Sequence, residues 1–519
     1  MRKAARQINR QQVGRTKSIP APIGGWNAKN SLAAMPETDA VVLENWFPTT
    51  SDVMVRRGFV DWATGMTGQV NTVMAYNSGS VNRLFAAVGD SDGTIYDVTS
   101  TGDVGDPLVE ELGNSKFEHV NLTTSGGSFL LAVNGADKML QYDGTVWYKE
   151  GDSGKPAITG FNSADAYNIN IFKNRVYMIE KASLKAWYLP TNSIGGAASA
   201  LDFGSVFRKG GYLVAMGTWS VDGGYGMDDN AVFITSEGEV AVYSGTDPSD
   251  TAKWYLTGVY SIGSPMGKRS MLKYQGDLLC ICKDGLAPMS ASLMSSRVNS
   301  KVMLSDKIQW AISTATSEYM TNYGWDMQLY PLNNMLILNV PVGTGTQEQY
   351  VMNTVTGAWC KFTGWAANCW ELYQDQIYFG SNGKVCRAWY GNSDNGAGVI
   401  TRALPAFSNF GNASGLKRWT MARPILATNG TPKINMTLNT DYNLSGYGGS
   451  IGYTKAAGAL WDDAAWDVAS WGGETTYIRD WQHVAGVGYS ATIQFAMAVD
   501  GAELRWVSTD YVFEAGGTI

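Results

Sequence analysis

Apolar and polar residues alternate with a period of two along much of this chain. In AVFITSEGEVAVYSG (residues 231–245), Val232, Ile234, Val240 and Val242 all fall on even positions, and a Glu-Gly turn separates the two halves. Period two sends successive side chains to opposite faces, so each half reads as a strand and the pair as a hairpin. The same unit, a strand, a tight polar turn and a second strand near an aromatic, recurs in NRLFAAVGDSDGTIYDVTS, GSFLLAVNGADKMLQYDGTVWYKEG and KNRVYMIEKASLKAWYLP. It returns in QGDLLCICKDGLAPMSAS, NNMLILNVPVGTGTQEQYVMNTVTGAWCKF and YQDQIYFGSNGKVCRAWYG, with copies about 40 to 60 residues apart. The turns offer Asp-Gly, Glu-Gly or Asn-Gly, which accept positive φ in a hairpin.

Small antiparallel sheets repeating at that interval predict a β-propeller, because one such sheet cannot bury both faces alone and radial stacking buries them. Seven hairpins predict six or seven irregular blades over residues 70–410, with an array of double-layer sandwiches as the competing geometry. The pattern changes after residue 410: INMTLN and ATIQFAMAV are alternating strands of an expected C-terminal β-sandwich at 411–519. The class is therefore all-β. Two short helices are expected, in PETDAVVLENWFP, which Pro48 stops, and in SSRVNSKVMLSDKIQWAISTAT. Before the repeats lie a basic arm at 1–21 and an extended, aromatic-studded entry segment at 22–69.

Composition sharpens this picture. The chain has 519 residues, enough for several domains, and 45% are hydrophobic, enough for a substantial core. Only 16% are charged, against about 25% in ordinary domains, which suggests surface covered by partners. The 60 glycines, 19 tryptophans and 26 tyrosines suit short strands and tight turns. The net charge of −7 argues against nucleic-acid binding as the main task. The five cysteines are odd in number, form no C-x-x-C pair, and read as small buried hydrophobes. No apolar run is long enough for a membrane helix, and MRKAARQINRQQVGRTK lacks the apolar core of a secretory signal.

The case for chemistry is thin. His119 and His483 are the only histidines and show no metal-binding spacing, so both read as strand residues. GYGGSIG (446–452) has its third glycine at the wrong offset for a nucleotide loop, and Asp90, Asp92 and Asp97 lack the remaining ligands of a calcium loop. Asp222, Asp228 and Asp229 cluster in SVDGGYGMDDNAVF, but one local cluster lacks the facing carboxylate that glycosidase chemistry requires. No catalytic residue, metal or cofactor is expected. Trp461, Trp466 and Trp471 stand five apart, which suits neither a strand face nor one helix face; they read as a looped staple or as anchors of a subunit interface.

PIGGWNAKNSLAAMPETDAVVLENWFPTTSDVMVRRGF, with Gly24, Gly25, Trp26, Asn27, Pro36, Asp39, Glu44, Asn45, Trp46, Phe47, Pro48, Arg56, Arg57 and Gly58, resembles the opening of virion proteins of short-tailed bacteriophages. GTWSVDGGYGMDDNAVFITSEGEVAVYSGTDPSD, GDLLCICKDGLAPMS and WDDAAWDVASW are similar to later parts of the same group, the tail nozzle or tail tubular protein B family. The resemblance implies a virion structural protein, assembled in the host cytoplasm, six copies of which form the distal ring of a short tail. Its implied partners are further copies of itself, the tail adaptor or connector, tail fibres or a tail needle, and double-stranded DNA in passage, with no membrane insertion of its own. On that reading Arg2, Lys3, Arg6, Arg10, Arg15 and Lys17 dock on the adaptor. Asp222, Asp228, Asp229 and Asp247 contribute to an acidic lumen that repels phosphates. Trp26, Trp46 and Phe47 fill apolar seams, and Arg56 and Arg57 hold a neighbouring carboxylate. The rivals are a non-viral propeller that binds carbohydrate or protein, and a propeller glycosidase.

Overall fold

A computed structural model describes residues 14–516 except 223–226, 294–302, 432, 447–452 and 456–474. The chain divides into two compact units, one of residues 59–354 and 363–390, the other of residues 1–58, 355–362 and 391–519. The first is a β-propeller and the second a β-sandwich.

Among the described residues the propeller has seven blades, and each hairpin singled out above supplies the middle of one. The innermost strands are Val70–Asn77, Glu118–Thr124, Ala166–Phe172, Leu213–Asp222, Met271–Tyr274, Asp326–Tyr330 and Cys369–Tyr373, for blades 1 to 7 in order. Each pairs antiparallel with the strand that follows it. Blade 7 is completed by a strand from the start of the unit: Phe59–Thr64 pairs antiparallel with Lys384–Ala388. Early and late segments of the unit thus share one sheet, which closes the ring.

The middle strands are buried on both faces, and their side chains form the cores between blades. Met74, Phe85 and Ile95 of blade 1 pack with Leu130, Leu140 and Tyr142 of blade 2. Phe172 and Tyr177 of blade 3 pack with Phe233 and Trp254 of blade 4. Val70, Val73 and Leu84 pack with Cys369, Tyr378 and Val385 where blades 1 and 7 meet. There the strands approach so closely that a Cβ on Gly380 would lie 2.6 Å from Val70 Cγ1 and 2.7 Å from Cys369 Sγ. Each fully buried apolar side chain in these seams contributes about 1.5–3 kcal/mol. All five cysteines are buried, as their apolar reading requires.

The sandwich shows why the entry ribbon is rich in aromatics. One sheet orders Trp46–Pro48, Val53–Val55, Leu504–Ala515, Lys417–Thr428 and Thr476–Ile478; the other runs through Asp39–Glu44, Val399–Pro405, Ala491–Asp500 and Asn435–Thr440. Trp506 bridges the layers, edge-on to Trp46 at 5.9 Å and to Phe495 at 4.7 Å. Arg56, 1% exposed, donates to both carboxylate oxygens of Asp394 at 2.7 and 2.6 Å and to Asn45 Oδ1 at 2.8 Å.

Three expectations are corrected. The helix expected in PETDAVVLENWFP is absent: Asp39–Glu44 and Trp46–Pro48 are strands, since Val41 and Val42 are β-formers with partner strands to join. The expected division into four consecutive segments at 21, 69 and 410 differs from the two units, because the entry segment builds sandwich strands as far as residue 58. The end of the basic arm is no free arm: Arg15–Pro20 pairs antiparallel with Leu504–Ala515, and Lys17 reaches Glu37 at 3.3 Å. The second expected helix, over 295–316, is present only in its later part: an α-helix runs Gln309–Tyr319 after a 3-10 turn at Asp306–Ile308. Among the described residues no helix is long and apolar enough to cross a membrane.

Candidate functional site

The inner strands of all seven blades face a central channel, and the loops that enter those strands form its mouth. A cavity of about 420 Å³ occupies the mouth. It is lined by Asn114 and Lys116 before blade 2, Tyr167 at the start of blade 3, Lys268 and Arg269 before blade 5, and Met320 to Trp325 before blade 6, with Asn134 and Lys181 at the ends of second strands. Below it a cavity of about 310 Å³ is lined by the strands themselves, including Glu118, His119, Asn170, Asp326, Gln328 and Glu371. Lys268 and Arg269 line both cavities.

Arg269 is the partition. From the edge of blade 5 its guanidinium spans the channel. Nε donates to Glu118 Oε1 at 3.0 Å, and Nη2 donates to Thr72 Oγ1 at 2.9 Å and to the Phe117 carbonyl at 2.8 Å. Nη1 donates to the Asn71 carbonyl at 3.4 Å and lies 3.7 Å from Asp326 Oδ2. Four blades are thereby tied to blade 5's arginine or supply it: 1, 2, 5 and 6. Burial pushes the Asp326 carboxyl up to about 7, with the Arg269 charge pulling the other way. Burial also lowers the Lys268 ammonium to about 8, against the attraction of Glu118. On the far side His119 Nε2 sits 3.2 Å from Glu371 Oε2, joining blades 2 and 7.

The mouth is held by its own loops. Lys268 Nζ donates to the Lys116 carbonyl at 2.5 Å, and Tyr323 Oη donates to the Asn71 carbonyl at 2.8 Å. Trp325 Nε1 donates to the Tyr319 carbonyl at 2.9 Å, and Asn339 Nδ2 donates to the Gly324 carbonyl at 2.7 Å. Cations cover the tyrosine rings: Lys116 lies 4.8 Å from the Tyr323 centroid, Arg269 5.8 Å from the same ring, and Lys268 5.2 Å from that of Tyr167. Each such contact is worth about 0.5–2 kcal/mol. Among the described residues no group of three His, Cys, Asp or Glu side chains is arranged to hold a metal ion.

The residues singled out from the sequence lie elsewhere. Asp229 accepts from Lys173 Nζ at 2.6 Å and from Ser220 Oγ at 2.7 Å, and the lysine bond holds its carboxyl below the usual range. Asp247 pairs with Arg175 at 3.3 Å, and hydrogen bonds from Ser249 lower its pKa. Neither is among the residues lining the two cavities. Asp222 and Asp228 belong to the first hairpin of blade 4, in register with Met227 and Val221. Arg2, Lys3, Arg6 and Arg10, and Trp461, Trp466 and Trp471, lie outside the described residues. Lys116, Lys181, Lys268, Arg269 and Tyr323 were missed. Their one local signal is the adjacent Lys268–Arg269 pair in a chain poor in charge.

No family model and no curated protein matches the chain. Solved structures do. The extracellular domain of a B. thetaiotaomicron hybrid two-component system is 12% identical, with a TM-score of 0.39, over 62% of this chain and 39% of that one. YCF48 bound to D1 peptide is 14% identical, with a TM-score of 0.36, over 68% of this chain and 99% of that one. The Cps50 (Swd1) β-propeller domain of Myceliophteria thermophila is 11% identical, with a TM-score of 0.37, over 63% and 98%. The chain therefore spans well under half of the first of these and nearly the whole of the other two. The nozzle function expected from the resemblance is corrected by these findings, since the chains matched are cellular propellers rather than virion parts. The chain's own strands and sheets make it an all-β protein built on a β-propeller.

Proposed function

We propose that the chain is a non-catalytic binding module that takes a ligand, carbohydrate or protein, at the mouth of its propeller channel. The observation that carries this reading is the mouth cavity itself. At about 420 Å³ it falls in the range of ligand sites, and its lining combines Lys116, Lys181, Lys268 and Arg269 with Tyr167, Tyr323 and Trp325. Its loops are tied to the blades by buried hydrogen bonds, so little ordering entropy remains to be lost on binding.

The carboxylates argue against a glycosidase. That chemistry places a sugar between one protonated acid and one ionised carboxylate. Here the Arg269 guanidinium stands between Glu118 and Asp326, at 3.0 and 3.7 Å, where a sugar would have to sit. Asp229 is held ionised by Lys173 and so is a poor proton donor.

The test is a blocked mouth. Thr321, an exposed lining residue, is replaced by Trp, and the wild-type and variant chains are screened on peptide and glycan arrays. Ligands kept by the wild type and lost by Thr321→Trp support the reading. Equal retention by both chains moves binding away from the mouth and overturns it.

A further inference from the structure

Away from the mouth, we propose that the outer edge of blade 4 is a second docking site, which takes an extended segment of a partner protein as an added strand. The fourth strand of that blade, Trp254–Ser261, pairs antiparallel with Glu239–Gly245, and among the described residues no further strand pairs with its other side. An open row of backbone N–H and C=O groups is a template for another strand. This row is eight residues long, WYLTGVYS, with no charge and no proline. Only Trp254 is buried in it, and Tyr255, Leu256 and Val259 are 59%, 41% and 39% exposed. Five other blades blunt the same edge. Blade 1 ends in Val109–Leu112, which carries Glu110 and Glu111. Blade 2 ends in the three residues Trp147–Lys149, and blade 3 in the four residues Ser199–Asp202. Gly285–Pro288 of blade 5 is buried, and Gly102–Asp103 pairs with Phe59–Thr64 of blade 7. Shortness, charge and cover all keep an edge from pairing, and blade 4 has none of them. One bulge, opposite Val242 and Tyr243, interrupts its row at Thr257, so a guest strand pairs on either side of that residue.

The size of the edge selects its occupant. At about 3.4 Å per residue it is roughly 27 Å long, and with a sheet about 10 Å thick it offers roughly 300 Å². A stable interface between folded chains covers about 800 Å² on each partner, so a rigid second copy would be held too weakly there. An extended peptide gains main-chain hydrogen bonds along the row and sets its side chains on both faces of the sheet. Tyr255 stands opposite Ser244 and Leu256 opposite Tyr243, so these two side chains lie on different faces, with Val259 further along opposite Ala241. Cross-strand packing against them favours β-branched or aromatic residues in the guest.

The experiment titrates the full chain into a fluorescein-labelled peptide, Lys-Thr-Val-Thr-Tyr-Thr-Val-Thr-Lys, followed by anisotropy. The comparison ligand is the same peptide N-methylated at every interior residue, which keeps the side chains and removes the backbone donors. The first is expected to bind and the second not. Leu256→Lys/Val259→Lys puts two charges on the edge and is expected to weaken binding about 2- to 30-fold, the range for losing two cross-strand contacts. Leu256→Ile/Val259→Ile should retain it, which separates a lost contact from a lost fold. No binding of the unmethylated peptide, equal binding of the methylated one, or an unchanged Lys variant overturns the proposal. Loss of the peptide in Thr321→Trp moves it to the mouth and overturns the edge while supporting the mouth. A dimer in sedimentation that the Lys variant breaks gives the edge to a second copy and overturns the peptide.

Discussion

The mouth and the channel share Lys268 and Arg269, yet among the described residues carboxylates line only the channel. In the channel the charged lining side chains meet partners from other blades, Arg269 with Glu118 and Asp326 and Lys268 with Glu118, and His119 lies beside Glu371 across blade 1. In the mouth the cations meet carbonyls and tyrosine rings, and carboxylates outside the lining stand beside them: Lys116 lies 3.3 Å from Asp90 Oδ1 and Lys268 3.8 Å from Glu118 Oε1. A buried charge removed from water must be paired or pay several kcal/mol. The charges of both regions therefore describe how the blades are tied together.

Three substitutions break this contrast, in falling order of effect. Arg269→Met leaves Glu118 and Asp326 facing each other without their shared cation. It should lower unfolding free energy by about 3–5 kcal/mol in a denaturant titration, the usual cost of stripping one partner from a buried pair. A loss under about 1 kcal/mol would mean that the arginine belongs to the mouth and not to the frame. Asp326→Asn is second. The carboxyl is raised from 3.8 to about 7 in the folded chain, so its contribution to stability is full below about pH 4 and is lost as pH climbs through 7. The melting temperature of Asp326→Asn should therefore gain on the wild type between about pH 4 and 8. A gap that stays constant across that range refutes titration at this site. Asp229→Asn is the smallest: its pair with Lys173 is half-exposed, and its removal should cost at most about 1 kcal/mol, with ligand binding at the mouth unchanged.

The fold was legible where strands are buried on both sides. Phe85, Leu131, Val232 and Ile281 lie in middle strands whose alternation and Gly turns announce a hairpin. The innermost strands were harder to see, because they face a channel on one side and mix Glu118, His119 and Asp326 with apolar residues. The entry ribbon misled in one place only: a Pro-Glu-Thr-Asp start signals a helix, but the β-branched Val41 and Val42 that follow find partner strands from far along the chain. The site was illegible for a different reason. Lys116, Lys181, Lys268 and Tyr323 are brought together from four blades, so no spacing joins them in sequence. The acids in the blade 4 turn caught the eye because they are adjacent, and adjacency on a hairpin end says little about facing a cavity.

The strand that closes blade 7 also sets a clock. Phe59–Thr64 is made early, but Lys384–Ala388, against which it pairs, follows more than three hundred residues later. At about 5–20 residues per second, a ribosome takes roughly 15–60 seconds to cover that distance. Throughout that interval the strand and the growing arc of blades each present open backbone edges, the kind that pair with other chains. Ring closure is thus the last event of synthesis for this unit, and the nascent chain must be kept from finding its missing edge in a neighbour.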